Sequence, residues 1–170
     1  SDLIANLHQG VRRPDHWAVF LEDVRRRCGA ARAILALNLS GAGRPTFWRA
    51  GGEPPEDILA LIQEGRDTLR KDRVYSFDEL DVDFAGGVYG RILGLNEPGA
   101  WNAWLLVARD TSDFAAADGA LLSGLVPHLN AAFANFAALE GARRRLAVSN
   151  TLLSRIGISW RVLDERAQAP

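Results

Sequence analysis

The chain contains no methionine and a single cysteine, Cys28. One thiol cannot form a disulfide within the chain, and no charged-then-apolar segment at the N-terminus resembles a secretory signal. These absences predict a cytoplasmic protein. The missing initiator methionine also indicates an excerpt of a longer protein, so we expect further parts outside this sequence.

Long hydrophobic runs and an excess of charge of either sign are absent as well. The longest apolar runs, such as 33–37 and 104–108, are far shorter than the roughly 20 residues of a membrane-spanning helix. The 20 basic and 21 acidic residues leave a net charge of -1, which gives no attraction to a polyanion such as DNA. With 48% hydrophobic residues among 170, the chain can still bury a sizeable core. We expect no membrane partner and no DNA binding by this piece alone.

The sequence also lacks the residue patterns of catalysis, metal binding and cofactor binding. The glycines at 41–43 and 86–90 do not continue into the lysine and hydroxyl of a phosphate loop or into a dinucleotide fingerprint. A calcium loop that began in the acidic stretch 78–83 would need metal ligands at positions 85 and 92, which are Ala85 and Ile92. The three histidines lack the spacing of a compact zinc site. We therefore expect no catalytic residue, no metal and no cofactor, and we do not expect an enzyme.

Hydrophobic periodicity and turn residues divide the chain into six segments. Amphipathic spacing predicts helices, and apolar runs closed by Gly, Pro and Asn turns predict hairpins. In order, the segments are a helix (14–28), a hairpin (32–40 and 46–49), a helix from 54, a short strand with an acidic loop (74–85), a hairpin (87–95 and 101–109) and a long helix from 114 to about 155. Tight turns leave no room for parallel crossovers, so this order predicts an α+β fold with helices flanking an antiparallel sheet.

The C-terminal half carries a motif that resembles a known family. The second hairpin ends in WLLVARD, and F-x-x-x-D-x-x-L-L-x-x-L-x-P-H-L follows from Phe114 to Leu129. With Trp17 in the first helix and a last helix rich in leucine and alanine, the chain resembles GAF-like sensor domains. More narrowly, it is similar to the N-terminal region of bacterial LuxR-type helix-turn-helix transcription regulators. The resemblance implies a regulatory function, with DNA contacted only through a C-terminal domain that this sequence lacks.

The same resemblance divides the chain into three parts. Residues 1–140 are expected to form the GAF-like sensory domain, and 141–156 an exit helix that links it to the next module. Residues 157–170 are expected to begin that truncated module, with the apolar stretch 156–164 as its opening strand.

Aromatic residues concentrate in the segments that line the ligand cavity of a GAF-like fold. An apolar pocket with a few polar groups is typical of small-molecule sites, and tyrosine and tryptophan supply both. For any single one of these aromatics, ordinary core packing is the stronger explanation. The candidate ligand-binding residues are Trp48, Tyr75, Phe77 and Tyr89. No motif identifies the ligand.

The long last helix is apolar over more surface than a single domain of this size needs. Written as heptads, one seam position holds Leu122, Leu129, Phe136, Arg143 and Asn150, and the other holds Leu125, Ala132, Leu139, Leu146 and Leu153. Such a seam predicts a parallel homodimer. The expected interface consists of Phe136, Leu139, Leu146, Asn150 and Leu153, with the asparagine favouring register over stability.

Three functions fit these observations. The first is a sensor and dimerisation domain of a cytoplasmic bacterial transcription regulator that binds a small ligand. The second is an enzyme of GAF-like fold, which requires a converging set of titratable groups. The third is a dimerisation spacer without a ligand, in which the space beside the sheet is fully packed.

Overall fold

The computed structural model describes residues 2–53, 60, 69–80 and 88–167, with side chains described from residue 3 as far as residue 155. The elements are α1 (Asp2–Gln9), α2 (His16–Arg27), β1 (Arg32–Leu39), β2 (Thr46–Gly51), β3 (Val74–Ser76), a 3-10 turn (Asp78–Leu80), β4 (Tyr89–Glu97), β5 (Trp101–Arg109) and α3 (Ala116–Ala167). The helix predicted from residue 54 and the end of the acidic loop lie outside the described residues. Helix α1 was not predicted from the sequence.

The five strands form one antiparallel sheet in the order β2-β1-β5-β4-β3. Tight turns create its two hairpins because glycine takes positive φ angles that other residues avoid. Gly41 and Gly43 have φ of 79° and 78° in the β1–β2 turn, and Gly99 has φ of 78° between β4 and β5. The predicted α+β class, with an antiparallel sheet, flanking helices and a long C-terminal helix, is therefore confirmed.

Successive side chains of each strand point to opposite sides of the sheet, and both sides carry buried residues. We call the side that contacts the helices the helix face. In β5 it carries Ala103, Leu105 and Val107, and all three are buried. We call the other side the far face. It carries a buried cluster made of Ile34, Ala36, Tyr75, Phe77, Ile92, Trp104, Leu106 and Ala108.

Aromatic rings join the helices to the helix face. Trp17 of α2 packs edge-to-face on Trp48 of β2, with ring centroids 4.6 Å apart, and on Phe133 of α3 at 5.7 Å. Phe133 also contacts Trp101 of β5 at 5.5 Å. The indole Nε1 of Trp17 donates a hydrogen bond of 2.9 Å to the carbonyl of Leu7, so its polar atom is satisfied although the ring is buried.

The start of α3 uses the acidic residues that the sequence places there. The carboxylate of Asp113 accepts a 2.7 Å hydrogen bond from the backbone N–H of Phe114, and that of Asp118 accepts a 2.8 Å bond from Ala115. These bonds satisfy N–H groups that a helix start leaves without partners. Arg109, at the end of β5, packs its guanidinium 4.1 Å from the centroid of the Phe114 ring. The hairpin and the helix are thus joined at one corner.

Helix α3 is one continuous element of 52 residues that contains Pro127. It passes through two compact units, residues 1–135 and 136–170. The strand predicted at 156–164 is wrong, because the backbone is helical as far as Ala167. The β-branched residues of that stretch suggested a strand. Adding residues to an existing helix is easier than starting a new element, and the stretch 156–164 contains no proline that would end the helix.

Among the residues that the structure describes, no helix is both long enough and apolar enough to cross a membrane.

Candidate functional site

The far face combines a floor of small residues with aromatic side chains. Across the sheet, Ala36 of β1 lies opposite Trp104 of β5, which lies opposite Gly94 of β4. Nearer the other end of the same face, Ala108 pairs with Gly90. The ring of Phe77 lies above Gly90 and the side chain of Leu69 lies above Gly94, so this face combines small residues with apolar and aromatic side chains. This is the composition that small-molecule sites favour.

Two of the four candidate ligand-binding residues, Tyr75 and Phe77, belong to the far-face cluster. The phenol oxygen of Tyr75 accepts a 3.0 Å hydrogen bond from the backbone N–H of Arg70. The guanidinium of Arg73 lies 4.6 Å from the centroid of the Tyr75 ring. Phe77 packs against Gly90, where a Cβ atom would overlap the phenyl ring. Gly90 therefore matches the ring of Phe77 in shape, which explains a glycine within a strand.

Trp48 and Tyr89, the other two candidates, lie on the helix face. Trp48 packs against Trp17, as described above. Tyr89 precedes Gly90 in β4, so strand alternation directs its side chain away from the far face, and 38% of the residue is exposed. The four candidates therefore do not border one space, contrary to the expectation that they line a common cavity. The sequence indicated strand aromatics but not the face to which each belongs.

Three asparagines form a row across the far face that the sequence analysis did not single out. Asn38 of β1 pairs with Asn102 of β5, which pairs with Asn96 of β4. All three are half-buried, and Asn38 Oδ1 is a buried atom without a hydrogen-bond partner. Strand residues two apart lie on the same face of a sheet. Each asparagine stands two residues from Ala36, Trp104 or Gly94, so this spacing could have revealed the row.

A small cavity of about 20 Å³ adjoins this row. Such a volume holds about one water molecule. Its lining combines the apolar floor with two of the row's carboxamides, and consists of Leu69, Lys71, Gly94, Leu95, Asn96, Asn102 and Trp104.

The clearest pKa shifts arise away from the far face. Hydrogen bonds from Arg25 and Arg26 lower the pKa of Glu22 to about 2. Burial, reinforced by the charge of Asp118, raises the pKa of Cys28 to about 11. Both shifts come from ion pairing and packing around α2. Within the described ranges, no three His, Cys, Asp or Glu side chains come together as a metal site.

The far half of α3 exposes large apolar side chains. Leu146 is 64% exposed and Leu153 is 63% exposed, and both belong to the predicted dimer seam. Of the other predicted interface residues, Asn150 is exposed and Leu139 is half-buried, whereas Phe136 is already buried within the chain. Val148 and Leu152 form a second exposed apolar stripe that the heptad pattern did not include.

Comparison with known proteins gives matches by fold only. No protein-family model matches the chain, and no curated protein sequence matches it. Among solved structures, the chain is similar in fold to several transcription-factor and LBD structures. The LBD domain of VqsR from Pseudomonas aeruginosa matches with a TM-score of 0.55 at 15% identity, over 79% of this chain and 94% of that one.

Two further structures match with lower TM-scores. CepR2 from Burkholderia cenocepacia, an N-acylhomoserine lactone-dependent transcription factor of the LuxR family, has a TM-score of 0.48 at 16% identity, over 82% of this chain and 96% of that one. SdiA from Escherichia coli has a TM-score of 0.49 at 11% identity, over 75% of this chain and 63% of that one. At the level of fold, the similarity to VqsR confirms the predicted resemblance to the sensor domains of LuxR-type regulators.

Proposed function

We propose that this chain is the ligand-sensing and dimerisation domain of a cytoplasmic bacterial transcription regulator. The observation that carries the proposal is the far face, where a floor of small residues, aromatic walls and an unpartnered buried carboxamide oxygen occur together. The match to the VqsR ligand-binding domain supports the same function.

In this proposal the ligand lies over Trp104 and contacts Tyr75 and Phe77. Trp48 and Tyr89 are left out of the pocket because their side chains lie on the helix face. Tyr75 is the residue best placed to respond to a ligand. Its ring is buried. Its hydroxyl oxygen accepts a hydrogen bond from the backbone of the segment 69–73, which leads into β3.

The same segment is tied to α3, which gives the ligand a route to the exit helix. Asp72, held at a positive φ of 63°, donates its N–H to the carbonyl of Gly94 over 2.9 Å. Its carboxylate accepts a 3.1 Å hydrogen bond from the side-chain amide of Asn130 in α3. A ligand that moved Tyr75 would therefore alter a contact of α3. In this mechanism, the bias between two arrangements of α3 is the signal passed to a DNA-binding domain.

Mass spectrometry of the protein purified from its host under non-denaturing conditions tests ligand binding. We expect a small molecule to remain bound and to be lost on denaturation. A spacer without a ligand is the alternative favoured by one observation, the small volume of about 20 Å³. Protein would be prepared from cells grown in rich and in conditioned medium. If the measured mass equals that of the chain alone in every preparation, the result supports the spacer without a ligand.

The exposed end of α3 is proposed to pair with a second copy in parallel. Leu139, Leu146 and Leu153 recur every seven residues, and Asn150 lies beside them to fix the register. A second copy is the fitting occupant because the stripe repeats as a coiled-coil seam does, and two exposed leucines would otherwise face water. Dimers are also the common form of regulators that read two half-sites of DNA.

Light scattering on matched variants tests the dimer. Leu139→Glu combined with Leu146→Glu should give a monomer at tens of micromolar, because it places charges on the seam. Val148→Glu is the control, since Val148 is as exposed as Leu146 but lies about half a turn around the helix. A monomeric wild type, or a control that dissociates as fully as the seam variant, would contradict the proposed interface.

A further inference from the structure

Two histidines that lie far apart in the sequence meet on the surface of the folded domain. His8 belongs to α1 and His128 to α3, and their ring centroids are 6.2 Å apart with the ring planes at 82°. Both residues are exposed. We propose that His8 and His128 together bind one divalent transition-metal ion, which links α1 to α3. Because both histidines lie on helices and not on the far face, the site does not depend on the proposed ligand.

The distance between the two rings suits a shared ion. Zinc lies about 2.0–2.1 Å from an imidazole nitrogen, which places it about 3.2 Å from the centre of the ring. Two imidazoles on one ion therefore have centres about 5 Å apart at a tetrahedral angle and about 6.4 Å apart when they lie opposite each other. The observed 6.2 Å falls within this range. Since both side chains are exposed, rotation about their side-chain bonds can direct one nitrogen of each ring to the same ion.

The two imidazoles contact each other and have no hydrogen-bond partner among the residues that the structure describes. Imidazole is the commonest metal ligand of proteins, and an exposed ring nitrogen needs only to exchange water for the metal. The third histidine of the chain, His16, differs from this pair because its Nδ1 is a buried atom. The pair therefore offers two accessible nitrogen ligands on two different helices.

The ligand set indicates the class of metal and the strength of binding. Imidazole nitrogens suit Cu²⁺, Zn²⁺ and Ni²⁺, whereas Mg²⁺ and Ca²⁺ take oxygen ligands. Within the described ranges, no third His, Cys, Asp or Glu side chain joins the pair, so water completes the coordination. Such an open site binds metal less tightly than a closed site with four protein ligands. Of these ions, Cu²⁺ should bind most tightly.

A metal at this position would reinforce α3 where its own hydrogen bonding is interrupted. His128 directly follows Pro127, and a proline inside a helix removes one backbone hydrogen bond. Two residues further on, the side-chain amide of Asn130 donates the 3.1 Å hydrogen bond to Asp72. The bound ion would hold this part of α3 against α1. Metal should therefore slow the local opening of α1 as well as raise the stability of the domain.

Metal titration of matched variants tests the site. Isothermal titration calorimetry on tag-free protein, in a non-coordinating buffer near neutral pH, should show one Zn²⁺ per chain and no binding of Mg²⁺. His8→Gln and His128→Gln should each weaken Zn²⁺ binding at least about tenfold, because a single imidazole loses the advantage of two linked ligands. His16→Gln is the control. It also removes one of the three histidines and should leave the affinity for Zn²⁺ unchanged.

Two further measurements test the link between the helices. The NMR signals of the His8 and His128 ring protons should shift together as Zn²⁺ is added, and those of His16 should not. Hydrogen exchange followed by mass spectrometry should show that Zn²⁺ protects the backbone amides of α1 in the wild type but in neither single variant.

Four results would overturn the shared site. The first is a wild type that does not bind Zn²⁺, and the second is a His16→Gln variant that loses as much affinity as His8→Gln. The third is a single variant that keeps one Zn²⁺ at the wild-type affinity, since each histidine would then bind its own ion. The fourth is a Zn²⁺-dependent rise in mass by light scattering that both single variants abolish, which would assign the histidines to a bridge between copies. Each of these results leaves the proposed sensing function intact, because neither histidine belongs to the far face.

Discussion

The two faces of the sheet use the same strands for different purposes. On the helix face, the rings of Trp17, Trp48 and Phe133 interlock, and the polar atom of Trp17 finds a backbone carbonyl. On the far face, the ring of Phe77 lies on Gly90 and the side chain of Leu69 lies on Gly94. The comparison teaches that a residue's role here depends on its face. On the helix face large rings pack against one another, and on the far face large side chains pack against small residues of the sheet.

The largest expected difference between the faces is in stability. Phe133→Ala should lower the free energy of unfolding by about 3–5 kcal/mol, because it removes a fully buried ring that contacts both Trp17 and Trp101. Phe77→Ala is the matched change on the far face. Phe77 follows the three-residue edge strand β3, where the chain can relax more easily, so we expect a cost near the low end of that range. Urea unfolding monitored by tryptophan fluorescence measures both.

Equal costs for the two variants would weaken the comparison. A larger cost for Phe77→Ala would reverse it, and the far face would then be the principal core of the domain. A third variant, Phe136→Ala, measures how much the buried ring of Phe136, the first residue of the second compact unit, contributes to the free energy of unfolding.

Much of the fold could be predicted because its signals are local. The turns at Gly41, Gly43 and Gly99 and the apolar runs of β1 and β5 depend on neighbouring residues alone, and Trp101–Arg109 was predicted with its observed bounds. The end of α3 was predicted wrongly because β-branched side chains favour strands in isolation, whereas here they continue a helix.

The arrangement of the candidate site could not be predicted, because the sequence does not state which side of a strand faces which layer. Tyr75 and Phe77 lie on the far face, and Trp48 and Tyr89 do not. The asparagine row was missed for a related reason. Its members are distant along the chain and come together only through the register of β1, β5 and β4.

A moderate effect is expected from a single oxygen of the far face. Tyr75→Phe removes the acceptor that binds the backbone N–H of Arg70, so the variant should lose about 1 kcal/mol of stability. Its ligand affinity should change more than this cost alone explains, since the segment it holds borders the proposed pocket. Tyr89→Phe is the control on the other face, and it should alter neither stability nor ligand affinity. Thermal melts with and without bound ligand measure both quantities, and identical behaviour of the two variants would remove Tyr75 from the pocket.

The smallest expected effect concerns thiol accessibility, which compares how readily a reagent reaches each face. Cys28 lies on the helix side, where burial raises its pKa to about 11, so the thiol is buried and protonated at neutral pH. Because the thiolate is the reactive form, iodoacetamide should label Cys28 only when the domain opens. An Asn38→Cys variant made in a Cys28→Ala background places the one thiol in the asparagine row. It should react faster than Cys28, and bound ligand should slow it. Equal labelling rates at the two positions, or a rate for the Asn38→Cys variant that ligand does not change, would mean that the far face is as closed as the helix face.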